Sequence, residues 1–205
     1  MSVNMTIPVP DFLDIDEATS GSAQAVVEGK GGLLNPGPNA TKSVDKKSGD
    51  MYERWSERVV IEAMWRDVTK TGLLVAVIQM KVRAGEPNQH ERTWTRLMIS
   101  PEILAGRAPT KEGHKSMHDR SIGAIATLLK ATGYYPKSGG ISGKLLNGVF
   151  PATKGSKSLI GSPDAVANFC NSPNKGDGAK TDRQTRAESF LPAPGAVVPT
   201  VQASS

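Results

Sequence analysis

A single cysteine, Cys170, stands in a chain of 205 residues. It leaves no partner for an internal disulfide and no thiolate set for a Cys-rich zinc module, which suits a reducing compartment such as the cytoplasm. No apolar run approaches the roughly 18–20 residues of a bilayer span; residues 73–78 (LLVAVI) stop far short. The opening residues, MSVNMTIPVPDFLDIDEA, turn acidic where a secretory leader would pass from basic to apolar to small residues, so neither export nor membrane attachment is expected. Aromatics are scarce at 5% and hydrophobic residues reach only 38%, while 21 glycines and 14 prolines punctuate the chain. Part of it is therefore expected to be loop or tail around one or two folded domains.

Positive charge is present but uneven. The net charge of +5 divides into −3 over residues 1–50, +6 over residues 51–150 and +2 over residues 151–205. The cationic part is also the part with the clearest structural periodicity, which points to a polyanionic partner.

Residues 1–50 read as an irregular acidic arm with at most one short strand at residues 25–28. Residues 58–68 (RVVIEAMWRDV) alternate, with Val59, Ile61, Ala63 and Trp65 on one face and Arg58, Glu62 and Arg66 on the other. A TKTG turn at residues 69–72 leads into residues 73–83 (LLVAVIQMKVR), completing a hairpin whose second strand starts apolar on both faces. Residues 92–100 (RTWTRLMIS) form a third strand, with Arg92, Trp94, Arg96 and Met98 on one side.

A short helical turn is allowed at residues 101–105. The 3.6-residue period appears at residues 118–132, through Ile122, Ile125, Ala126, Leu128 and Leu129, with Ser116 or Asp119 near the start and Gly133 as C-terminal cap. Residues 144–150 (KLLNGVF) read as a last strand. Ser162, Pro163 and Asp164 read as the start of a two-turn helix, and everything beyond Asn171 as a disordered tail. The resulting division is an arm at 1–50, a folded domain at 51–160, and a short helix with tail at 161–205.

Constellations for catalysis fail on spacing. The Gly-Lys pair at Gly143 and Lys144 lacks the glycine five positions earlier and the Ser or Thr after the lysine that a phosphate-binding loop requires. His114 and His118 are four apart but have no third ligand of matching type nearby. Cys170 lies in an apolar stretch, and no serine occupies a Gly-x-Ser-x-Gly elbow. No enzyme activity, metal or cofactor is expected.

Aromatics beside cations form the positive signal. Tyr52, Arg54 and Trp55; Trp65 and Arg66; Arg92, Trp94 and Arg96; and Tyr134, Tyr135 and Lys137 gather most of the Trp and Tyr residues next to Arg or Lys. An aromatic face stacks on any base while the cation meets a neighbouring phosphate, at roughly 1–3 kcal/mol per stacked base. Trp94 is the leading candidate, since its own strand face is otherwise charged. Trp65 shares its face with Val59 and Ile61 and reads as core, and Tyr134 could simply cover the helix end.

The succession RVVIEAMWRDVTKTGLLVAVIQMKVRAGEP, ERTWTRLMIS, RSIGAIATLLKATGY and GKLLNGVF resembles small phage-encoded single-stranded-DNA-binding proteins of OB-fold type over about residues 51–150. In that family a hairpin with a Thr-Lys-Thr-Gly-like turn leads to a helix ending in Ala-x-Gly and then to a Gly-Lys strand that closes the barrel. The resemblance implies a mainly β, α+β fold: an OB-like antiparallel barrel with one main helix and irregular terminal arms. It also implies a host-cytoplasmic protein that protects single-stranded DNA during phage replication or recombination.

On this reading Lys70, Arg92, Arg96 and Lys137 contact phosphates, and Trp94, Tyr134 and Trp55 stack on bases in a concave groove. The family's usual acidic C-terminal tail is missing, since the C-terminal residues include Arg183 and Arg186. Acidic and apolar residues instead alternate at residues 11–17, leaving replication or recombination proteins as partners for the terminal arms and homo-oligomerisation open. An alternative from another class is a structural or assembly protein of a virus particle with interlocking arms.

Overall fold

The computed structural model describes residues 9, 11–12, 33–44, 46, 49–109, 111–173 and 183–195. Their order is β1 (Thr41–Val44), β2 (Met51–Val68), β3 (Leu74–Val82), β4 (Arg92–Met98), α1 (Pro101–Leu104), α2 (His114–Thr132), α3 (Gly143–Val149), β5 (Asp164–Pro173) and β6 (Arg183–Pro192). The strand expected at residues 25–28 lies outside the described residues.

All six strands join one antiparallel sheet in the order β4-β3-β2-β5-β6, with β1 on the first turns of β2. The fold is mainly β in the α+β class, as the alternating segments imply. The expected barrel is not closed: β4 and β6 form the two ends of the path and do not pair. They do approach, because Ala187 N–H donates to Thr95 Oγ1 at 2.6 Å.

The 18-residue β2 is the spine. Its first half pairs with β5 from Glu53 to Val60, and its second half pairs with β3 from Val59 to Val68. A β-bulge between Ile61 and Ala63 inserts Glu62 and reverses the alternation. Before it, Trp55, Val59 and Ile61 face the core; after it, Met64 does, and Trp65 packs on the other side of the sheet. The expected common face for Val59, Ile61, Ala63 and Trp65 is thereby corrected.

On the core side, Ala76, Ile78 and Met80 of β3 meet Ile125, Leu128 and Leu129 of α2, together with Phe169 and Phe190. All four phenylalanines of the chain, Phe12, Phe150, Phe169 and Phe190, are almost fully enclosed, so most of the scarce aromatic volume goes into packing. Truncating a buried Phe to Ala costs about 3–5 kcal/mol.

Three expectations beyond residue 140 are overturned. Residues 144–150 belong to helix α3: Ser142 Oγ accepts from Leu145 N–H at 3.2 Å, and Leu146, Val149 and Phe150 turn inward at helical spacing. The helix expected after Pro163 is strand β5, which buries Ala165, Ala167 and Phe169 alternately against β2. Part of the expected tail is strand β6, anchored by Thr185, Ala187 and Phe190. The folded body therefore extends past residue 160 to Pro192, and it also takes in Phe12 and Leu34 from the expected arm.

Polar groups lock those outlying segments. Leu34 N–H donates to Thr185 Oγ1 (2.9 Å), and Asn88 bridges Asn35 and the buried Glu57 through its side chain. Burial pushes the Glu57 carboxyl up. Arg66, expected on a wet face, is buried and holds Asp11, Asn147 Oδ1 (3.2 Å) and the Phe150 carbonyl (3.0 Å), while Phe12 N–H donates to the same Asn147 oxygen.

Helix α2 ends at Gly133 as expected, with φ 79° in the left-handed region. Its start is Gly113, not Ser116 or Asp119, and no side chain caps it. Gly123 sits inside α2 with nothing within 4 Å of an added Cβ. Replacing Gly123 by Ala is expected to stabilise the protein by about 0.5–1 kcal/mol, seen as a higher midpoint in urea or heat.

Buried His118 accepts from Ser100 N–H through Nδ1 at 3.0 Å, and burial pushes its pKa down, with Asp119 opposing and Lys115 reinforcing the shift. The unfolded chain thus binds the proton more readily. The contribution of this residue is complete above its ordinary pKa of about 6.5 and is lost as pH falls through the lower folded value. His118→Asn, which keeps an acceptor for Ser100, should flatten the drop in melting temperature between about pH 7 and 5.

Candidate nucleic-acid interface

The β3–β4 register pairs Lys81 with Arg92, Gln79 with Trp94, Val77 with Arg96 and Val75 with Met98. Side chains on one face of a strand recur every ~6.6 Å, so Arg92, Trp94 and Arg96 form a row of that spacing. The row lies on the face turned away from the main core. There Val75, Val77 and Met98 make a small apolar cluster against which Trp65, Leu73 and Trp94 pack partly buried. Lys154 Nζ lies 4.9 Å from the centre of the Trp65 ring.

Arg92 is exposed and forms a fork with Glu62: Nε to Oε2 at 2.9 Å and the terminal nitrogen to Oε1 at 3.1 Å. Gln79 donates to the same carboxylate at 3.0 Å. The hydrogen bond from Arg92 holds the Glu62 carboxyl below the usual carboxylate range. The bulged Glu62 therefore offsets one cation of the row, while Arg96 beyond Trp94 is half-buried.

The structure gathers only part of the sequence-derived set. Trp94, Arg92 and Arg96 share the outer face, and Lys70 is exposed in the hairpin turn beyond Leu73. Trp55 does not join them. It is 6% exposed, packs on Phe169 with ring centres 5.7 Å apart, and belongs to the main core, because β2 runs seven residues further back than expected. Tyr134 covers the end of α2 and packs against that core, its N–H bonded to Leu129 O at 2.8 Å. Lys137 is exposed in the loop that follows, on the helical layer and away from the row. Tyr135, beside Tyr134, is the more exposed ring at 40%, with Lys130 Nζ 4.8 Å from its centre.

Two features escaped sequence reasoning. Trp65 on the outer face follows from the bulge, which no residue pattern announced. A groove of about 910 Å³ beside the row is lined by Arg58, Lys81, Arg83 and Arg92. Lys81 was legible, since Val75, Val77, Gln79 and Lys81 alternate along β3. Arg58 and Arg83 meet there only because the hairpin pairs their backbones, and they carry carboxylate partners, Glu86 (2.6 Å) and Asp164 (3.0 Å). The surface is thus a mosaic of forked ion pairs around an aromatic and aliphatic centre, with no concave groove at Trp94 itself.

Compared with protein-family models, curated proteins and solved structures, the chain shows no match. No helix among the described residues is long and apolar enough to cross a membrane.

Fluorescence separates the two indole environments. A variant keeping only Trp94 should be readily quenched by acrylamide, whereas one keeping only Trp55 should emit further to the blue and resist quenching. Equal quenching of the two would contradict the burial of Trp55.

Proposed function

We propose that this protein binds single-stranded DNA with little sequence preference on the outer face of β2, β3 and β4, in the manner expected of a protector of single strands in phage replication or recombination. The observation that carries the reading is the half-buried Trp94, set between Arg92 and Arg96 on the face away from the core and beside the cluster that holds Trp65. An indole in that position adds little to the main core, while its flank offers a π-surface between cations. Bases stack on such a surface irrespective of identity, and the guanidinium groups meet the phosphates on either side. Lys81 and Lys154 extend the positive edge of the same face. Lys70 marks the end of the path at the hairpin turn, and no cofactor takes part.

The Arg92–Glu62 fork gives the reading a distinctive consequence. Phosphate competes with Glu62 for Arg92, so an incoming strand must exchange one anion for another. Titration of the intrinsic fluorescence with oligothymidylate at several salt concentrations tests this. Trp94→Ala should weaken binding about tenfold or more while retaining a cooperative melt. Arg96→Gln should lower the salt slope by about one. Glu62→Gln should tighten binding by releasing Arg92. Absence of binding at low salt, or equal binding by Trp94→Ala, would overturn the proposal.

A further inference from the structure

The open side of the sheet carries a second feature. Backbone bonds from Ile99 N to Leu74 O (3.2 Å) and from Val82 N to Glu91 O (2.9 Å) set the phase of the β3–β4 ladder. Bonded pairs alternate along an antiparallel ladder. The main-chain groups of Arg92, Trp94, Arg96 and Met98 therefore point away from β3, towards an edge with which no strand pairs among the described residues. Strand β6 does not fill this place, because its amides are tied to side chains: Ala187 N–H to Thr95 Oγ1, and Phe190 N–H to Thr127 Oγ1 at 2.9 Å.

Between this edge and α2 runs a groove of about 650 Å³. Its apolar lining includes Leu73, Leu97, Met98 and Met117, and Arg96, Arg120 and Arg186 border it. The one acid on its wall, Glu188, is held by Arg54 (3.0 Å) and Arg186 (3.1 Å). Arg120 is exposed, and its Nε donates to the Ser116 carbonyl at 3.3 Å, which fixes the guanidinium at the rim.

We propose that this groove receives an extended segment of another protein, in which acidic and apolar side chains alternate, added as a further strand to the β4 edge. Strand addition satisfies the outward main-chain groups. Successive side chains of such a strand point to opposite sides, so apolar ones reach Leu97 and Met117 while acidic ones reach the arginines. The charge of the border selects against a basic or neutral segment. The site goes beyond nucleic-acid binding, since its floor is formed by residues remote from the Trp94 ring.

The probe is a fluorescein-labelled eight-residue peptide of alternating aspartate and leucine, followed by fluorescence anisotropy with the full chain. Saturable binding is expected, weakened on the order of tenfold or more by Gly123→Phe and by Arg120→Glu. Gly123 lines the groove and has open space around an added Cβ, so the phenyl ring fills the cleft without disturbing the helix. The same peptide with lysine for aspartate should not bind. No saturable binding, equal binding of the lysine peptide, or indifference to Gly123→Phe would overturn the proposal. So would a wild-type dimer that Gly123→Phe converts to monomer, which assigns the groove to a second copy, or loss of oligothymidylate binding alone in that variant, which assigns it to nucleic acid. The Trp94 reading stands or falls on oligonucleotide titration, so the two failures are distinguishable.

Discussion

One inserted residue in β2 organises both sides of the sheet. Without Glu62, strict alternation would place Trp65 beneath α2 and Met64 outside. The bulge exchanges them, seals the core with Met64 and carries Trp65 to the face that holds Trp94. The same shift turns Arg66 inward, where a buried guanidinium is tolerable because Asp11, Asn147 and the Phe150 carbonyl surround it. Glu62, projecting from the bulge, grips Arg92 and sets the electrostatics of the outer row.

A second organising device is polar. With few large side chains available, the outlying segments are fastened by buried amides and hydroxyls, Asn88 holding Asn35 and Glu57, and Asn171 holding Leu34 O (3.3 Å) and Thr185 (2.7 Å). Each such group requires its partner, because a buried polar atom left unpaired costs about 1–3 kcal/mol. The network thus specifies where residues 34–35 lie on the sheet more sharply than apolar contact alone would.

These devices explain which parts of the structure were legible in the sequence. The β2–β3 hairpin was readable from its turn at residues 69–72 and the apolar run after it, and the end of α2 from Gly133. The alternation in residues 92–98 placed Arg92, Trp94 and Arg96 together correctly. Helix α3 was missed although Leu145, Leu146, Val149 and Phe150 have helical spacing, because a seven-residue apolar run fits a strand as well. Strands β5 and β6 were hidden by small and polar inward residues, Ala165, Ala167, Thr185 and Ala187, whose burial depends on neighbours distant in the chain. Trp55 and Tyr134 were misassigned for a related reason: adjacency to a cation does not reveal whether a ring's other face is covered.

The pairing of β2 with β5 has a kinetic corollary. Residue 53 waits for residue 171, so the central strand keeps one edge bare until most of the polypeptide has left the ribosome. At about 5–20 residues per second, that interval lasts on the order of several seconds or longer. A nascent chain halted before residue 164 would present an unpaired hairpin to the cell, ready to associate with whatever strand it meets first.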